Sequence, residues 1–380
     1  MSGPESDAEG ETITLYELLE RSARAALELQ REDGSFPPGR NGVYDEPETP
    51  VRTTSHWLTT LSKVYEITGD EVFAEAANDA ADYLLSDEAR PYGYTFHSRN
   101  AEGKDKCDGL IGQAAPIRGL TRAGLTLERP ELVEVARDVV ALHPFNEQLG
   151  LWERVEIDGS FQSFDRTLNH QITFAAAIAN FPTQCKDIKN DLRGFLDKLR
   201  ENLRIDNDGV IKHYVRPPLL EVIRCLGSNI RHWILLLNEL MFHYYLYSTN
   251  RRVKEMSYQP LNLYGLARLK QRFPNHILWE DQSIQKSLDL CKKHFGVIKN
   301  TNSGSLVPGI QIAYALSVFD DCREIDEYIA VDVNNRFNFE TNLLSNNVID
   351  PHLTSASICN AVTLSDVEIN LTSQRALSER

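Results

Sequence analysis

The stretch DRTLNHQITFAAAIANF, residues 165–181, opens on Asp165, Arg166, Asn169, His170 and Gln171 and then turns almost wholly apolar. A helix that is apolar all round is buried inside a larger assembly, where an unpaired polar side chain is costly. Polar groups gathered at one end of such a helix either satisfy one another or face a cavity. Which of the two holds depends on how many other segments share this shape.

Five others do. Stretches rich in small and apolar residues with helical periodicity fall at about 52–67, 109–126, 168–181, 259–273, 305–319 and 352–364. Amphipathic stretches with regular charges alternate with them at about 14–30, 71–85, 131–142, 185–203, 281–295 and 322–331. One face of a helical hairpin can be covered only by its neighbours, so six buried and six half-exposed helices close into a ring. The pattern predicts an all-α (α/α)6 toroid over residues 13–371. An acidic, disordered leader is expected at 1–12, a helical insertion at about 215–257 and a flexible tail at 372–380.

The connections are asymmetric. Links from an apolar helix to the next amphipathic one are short: TGD before Glu71, LERP before Glu131, PTQ before Cys185. Links the other way are long: 31–51, 86–108, 143–167 and 204–258. The long loops therefore gather on the face where inner helices begin, and long loops on a rigid scaffold are where sites are built. VRTTSHWLTTL (51–61) brings Arg52, His56 and Trp57 there, and CDGLIGQAAPIRGL (107–120) brings Asp108 and Gln113. Helix N-termini pointing into the same pocket favour an anion by about 0.3–1 kcal/mol each. A carboxylate sugar would suit.

Composition narrows the class. The 380 residues are 42% hydrophobic and 25% charged, ordinary for a globular protein. The net charge of −15 lies in the first half, where residues 1–180 hold 32 acids and 16 bases. That balance speaks against nucleic-acid partners, which need Lys and Arg to displace counterions. Only three of the 13 Lys precede residue 180, which gives this half the look of a salt-adapted surface. Six scattered Cys, with no CxxC pair, read as reduced thiols and suggest neither a metal site nor disulfides. Walker A, GxGxxG and HExxH runs are absent, and no cofactor is expected. The N-terminus lacks the apolar region of a signal peptide, so a cytoplasmic location, at the membrane surface or free of it, is expected. The DGSF turns at 33–36 and 158–161 resemble those of other helical toroids, terpenoid cyclases included, and read as structural. No DDxxD-like cluster follows an inner helix, which disfavours a cyclase.

CDGLIGQAAPIRGLTRAG (107–124) followed by FDRTLNHQITFAAA (164–177) resembles the AglQ-type proteins of archaeal N-glycosylation clusters. More distantly the chain is similar to toroidal sugar enzymes such as unsaturated glucuronyl hydrolases and N-acylglucosamine 2-epimerases. The AglQ-type pattern covers about residues 30–180. It implies a role in building or trimming a surface glycan that contains hexuronic acids; the reaction stays open, because toroids host hydrolases, lyases, epimerases and binding proteins alike.

Asp108 and Asp165 each precede a helix start, where Asp is a favoured N-cap. Two carboxylates at adjacent inner-helix mouths also suit acid/base sugar chemistry, one raised in pKa and one kept ionised. His170 is either a satisfied core histidine or a proton carrier. These three form the candidate catalytic set. Arg52 and Arg166 either pair with local acids or clamp a uronate in bidentate fashion. His56, Trp57, His97, Gln113, Asn169 and Gln171 complete the candidate substrate contacts. If the reaction is epimerisation or isomerisation, His170 is the base; if it is hydrolysis, the two aspartates are. A non-catalytic glycan-binding scaffold is the third reading.

The segment 229–252, NIRHWILLLNELMFHYYLYSTNRR, does not fit the ring. Its polar interruptions leave no run of twenty apolar residues for a membrane span. It is expected to pack over the long-loop face or against a second subunit, or to touch a membrane carrying a lipid-linked glycan, with Arg251, Arg252 and Lys254 near the headgroups.

Overall fold

The computed structural model describes residues 11–182, 185–226, 233–245, 247–298, 306–320 and 324–371. Outer and inner helices alternate along the chain. Leu15–Leu27 (α1) is followed by Val51–Thr68 (α2), Glu71–Leu85 (α3) by Gly109–Thr126 (α4), and Pro130–Leu142 (α5) by Leu168–Ile178 (α6). Lys186–Asn202 (α7) leads through three inserted helices, Leu219–Leu226 (α8), Ile234–Tyr245 (α9) and Arg251–Ser257 (α10), to Gln259–Arg272 (α11). Gln282–Ile298 (α12) precedes Pro308–Phe319 (α13), and Ile325–Arg336 (α14) precedes Pro351–Ala356 (α15), which a 3₁₀ turn continues to Thr363.

Burial separates the two sets. In α7 only one stripe is buried, Ile188, Leu192, Phe195, Leu196 and Leu199, as an amphipathic outer helix requires. In α6 nearly every residue is buried, from Leu168 to Ile178. The inner helices touch in ring order, α2 to α4 to α6 to α11 to α13, and the 3₁₀ turn after α15 packs back on α2. Small residues set the spacing: a Cβ on Gly119 would stand 2.9 Å from the Ser55 carbonyl oxygen, and one on Gly265 would stand 2.4 Å from Ile172 Cγ2.

Local chemistry fixes the ends. Thr14 and Glu17 form a reciprocal capping box on α1, satisfying two otherwise free amides. Asp33 and Asp158 each accept the amide of the serine two residues on, so both DGSF segments are turns. In the long loop before α6, strands 145–146, 151–155 and 161–164 form a small antiparallel sheet.

The ring is sealed by a strand pair. Residues 11–14 pair antiparallel with 368–371, Glu11 opposite Leu371 and Thr14 opposite Glu368. The expected leader therefore ends earlier than residue 12, because Glu11 and Thr12 find ladder partners. Residues 1–10, the tail at 372–380 and Cys322 lie outside the described residues.

Within the segment 229–252, α9 packs against strand 161–164 of the long-loop sheet, in line with a helix over the long-loop face. Residues 227–232 and 246 are outside the described set, and between them runs the twelve-residue α9. Leu235 and Phe242 are buried, whereas Trp233, Leu237, Leu240, Met241 and Tyr244 are exposed, Tyr244 to 82%. Among the described residues no helix is long and apolar enough to cross a membrane.

Candidate active site

A cavity of about 350 Å³ opens among the inner-helix starts, a volume at the small end of ligand pockets. α2 contributes Arg52 and His56, α4 Arg118, α6 Asn169 and His170, and α11 Tyr264 and Arg268. The long loops add Tyr44, Arg99, Lys104 and His213.

Asp108 sits at the start of α4 in the left-handed region, φ 55°, and caps nothing. Its Oδ1 accepts from Arg99 at 2.7 Å and its Oδ2 pairs with Arg52. Arg52 also meets Glu48 Oε1 at 2.9 Å. Burial pushes the Glu48 carboxyl up to about 7, against the pull of Arg52 and with the push of Asp108.

Asp165 lies behind His170, outside the cavity wall. Its Oδ2 accepts from His170 Nδ1 at 2.9 Å and from the Leu110 amide at 3.1 Å, and its Oδ1 accepts from the Thr167 amide at 3.1 Å. Burial works against its charge, but His170, Arg154 and the Leu110 amide outweigh it and hold the carboxyl well below the usual range. An ionised acceptor on Nδ1 fixes the proton there and leaves Nε2 as the basic nitrogen. The His170 side chain keeps 24% of its surface exposed, on the cavity side.

His213, which sequence reasoning passed over, faces the same cavity from the loop after α7. Burial, with Lys254 and His170 nearby, holds it well below the ordinary histidine value. Burial does the same to His56, helped by Arg118 and Arg52. Both are neutral imidazoles. Their one legible signal was position, His213 in a long loop on the pocket face. Tyr44 and Tyr258, joined by hydroxyls 2.7 Å apart, line the cavity as well.

Arg52, His56, Asp108, Asn169 and His170 thus come together. Trp57 does not: it is 2% exposed and packs on Phe36. Gln113 bonds the Phe96 amide and the carbonyls of Phe96 and Cys107. Gln171 bonds the Trp152 amide and the carbonyls of Trp152 and Asp165. Both glutamines are splints that fasten loops to helix starts, and so place Asp108 and Asp165. Arg166 donates to Val215 O and to Glu239 at 2.6 Å and stacks over Phe242, tying the insertion to α6 rather than facing the cavity. His97 is half-buried and outside the cavity lining. The one grouping of metal-type donors among the described residues is Asp105, Cys107 and Glu156. Its carboxylates already accept the amides of Gly109, Lys106 and Cys107.

No protein-family profile matches the chain. It is 36% identical over 371 residues to archaeal glycosylation protein Q of Haloferax volcanii, covering 94% of this chain and 99% of that protein. Among solved structures it resembles cellobiose 2-epimerase from Bacillus thermoamylovorans, with a TM-score of 0.61 and 11% identity over 92% of this chain and 98% of that one. It also resembles an unsaturated glucuronyl hydrolase specific for heparin, with a TM-score of 0.57 and 10% identity over 92% and 96%. At such identities the likeness is one of fold, and the fold is the α/α toroid.

Proposed function

Because the chain belongs to the family of archaeal glycosylation protein Q, we propose that it is a carbohydrate-active enzyme of surface-glycan assembly that isomerises or epimerises a hexuronic acid. The observation that carries the reading is the Asp165–His170 pair at the cavity wall. Such chemistry removes a proton from a carbon beside a carbonyl and returns one, so the substrate is rearranged with no change of composition. It needs a near-neutral base in reach of that carbon. Nε2 of His170 takes the proton, Asp165 stabilises the imidazolium that results, and neutral His213 faces the same space as a second proton carrier. Arg52 and Arg99 line the same cavity and would supply the positive charge for a developing enolate oxygen.

Charge supports an acidic sugar. The lining holds six cations, Arg52, Arg99, Lys104, Arg118, Lys254 and Arg268, against two acids, Glu46 and Asp108, although the chain as a whole is at −15. The hydrolase alternative asks for a carboxyl free to donate a proton into the cavity. Asp108 is held between two guanidinium groups, and Asp165 is spent on His170, so neither suits that role as well as the histidine reading does.

The test is exchange. Wild-type protein incubated with glucuronate in D₂O is expected to incorporate deuterium at carbon, and His170→Ala to abolish this while the fold, read by circular dichroism, is unchanged. Release of free sugar from a glucuronide without exchange would instead favour the hydrolase. Neither event, with retained glycan binding, would favour the scaffold.

Membrane contact is a further part of the reading. Leu219, Leu220 and Ile223 of α8 are exposed as well, and α9 packs against the long-loop sheet before α6. A lipid-linked glycan entering the cavity would bring its lipid to this apolar surface.

A further inference from the structure

The two innermost cations of the cavity have no counter-charge. Arg118 and Arg268 are each the tenth residue of their helices, α4 and α11, which places their backbones about 14 Å from the helix starts. His170 is the third residue of α6. Arg268 is 7% exposed and lies over the Tyr264 ring at 5.7 Å. Arg118 gives one Nη2 bond to Cys359 Sγ at 2.7 Å and has the neutral Tyr264 hydroxyl beside it, and its Nε has no partner. Burial pushes the Cys359 thiol up, so that sulfur carries no charge to match. Among the described residues no carboxylate pairs with either guanidinium, whereas Arg52, Arg99 and Arg166 are all paired, as is Arg122, one turn beyond Arg118, with Glu66. Gln311 and Asn360, both nearly buried, line the same region. Two buried, mutually repelling cations left unmatched are costly for the empty protein and match an anion that arrives with the ligand.

We propose that Arg118 and Arg268 form an anion subsite at the cavity floor that takes the carboxylate of the hexuronate. This rests on the acidic-sugar reading above and fixes the substrate's direction. With the carboxylate on the floor, C5 lies deep and the C1–C2 end rises toward His170. The proton that His170 removes is then the one on C2, beside a C1 aldehyde, and not the one on C5. The C2–H electron pair forms the C1=C2 bond of an enediolate as the C1 carbonyl pair moves onto O1, and His170 carries the proton. Its delivery to the opposite face of C2, once the C1–C2 unit has rotated, gives the epimer, and its delivery to C1 with the O2 proton passing to O1 gives the ketose.

Three measurements test this. NMR of glucuronate turned over in D₂O is expected to place deuterium at C2 or C1; label at C5 overturns the orientation. Calorimetry with glucuronate and glucose is expected to show tighter binding of glucuronate by wild type, and at least a tenfold loss of that preference in Arg118→Gln and Arg268→Gln. If those variants keep the preference and Arg99→Gln loses it, the carboxylate sits at the mouth and the subsite is wrong. Thermal unfolding with and without sulfate separates the subsite from the substrate assignment. Arg268→Met is expected to raise Tm without added anion, because a buried unmatched charge is gone, and to lose the sulfate-induced rise that wild type shows. If wild type shows no preference for glucuronate yet the sulfate effect depends on Arg268, the hexuronate reading fails and the anion site stands; a sulfate effect untouched by either substitution overturns the site itself.

Discussion

At the scale of single residues, the proposed mechanism has Asp165 govern a proton it never touches. It lies outside the cavity wall and acts through His170 Nδ1, so Asp165→Asn is expected to lower kcat by about 10²- to 10⁴-fold and leave KM near wild type. Steady-state kinetics check this, and an equal loss in KM would show a binding role instead. His143 shows the same imidazole chemistry turned to stability. It is buried, with its Nδ1 at 3.0 Å from the Glu153 carbonyl oxygen, and burial brings it from 6.5 down to about 4. The unfolded chain therefore binds its proton first as pH falls. Stability is full above pH 6.5 and is lost between 6.5 and 4, by on the order of 3 kcal/mol for this group. Urea unfolding across that range is expected to show a shallower acid loss in His143→Asn, which cannot take up the proton. The residues that sequence reading missed, Arg118, Arg268 and His213, share one property. Each owes its proposed role to partners or emptiness contributed by helices far away in the chain, and no local pattern carries that.

At the scale of elements, the helices themselves were legible because small and apolar residues at helical spacing admit little else. α4 was expected at 109–126 and spans those residues; α14 was expected at 322–331 and instead runs from Ile325 to Arg336, its weak amphipathicity giving little to read. Polar residues at the inner-helix mouths were legible as a group, but not their division of labour. Gln113 and Gln171 have the same chemistry as cavity ligands yet turn back on the backbone, since each buried loop amide and carbonyl requires a partner. Gly112 makes the α4 start possible: a Cβ there would stand 2.2 Å from the Cys107 carbonyl oxygen and 2.8 Å from Asp108 Cβ. Gly112→Ala is expected to cost about 1–3 kcal/mol and to loosen Asp108 from its two arginines, read by a lowered Tm together with a weaker affinity for glucuronate. For the insertion, Leu240→Asp with Met241→Asp on α9 is expected to abolish sedimentation of the protein with anionic phospholipid vesicles while leaving exchange on free glucuronate intact. Loss of both would point to a structural role for that surface.

At the scale of the whole molecule, the ring order, the cavity at the long-loop face and the closure of the last inner element on α2 all follow from alternation and loop asymmetry, so the architecture could be read before any contact was known. The seam could not, because residues 11–14 and 368–371 are too short and too far apart to advertise their pairing. Shortening the chain to end at Val367 is expected to lower Tm by several degrees, as a single scan would show, since it removes the pairing that holds the last inner element to the first outer one. Because the two ends of the ring meet at this seam, on the face opposite the cavity mouth, the order of the hairpins has no privileged beginning. A circular permutant that joins residue 371 to residue 11 through a short glycine-serine linker, and opens instead between Glu128 and Arg129, is expected to fold to the same toroid with its chemistry intact.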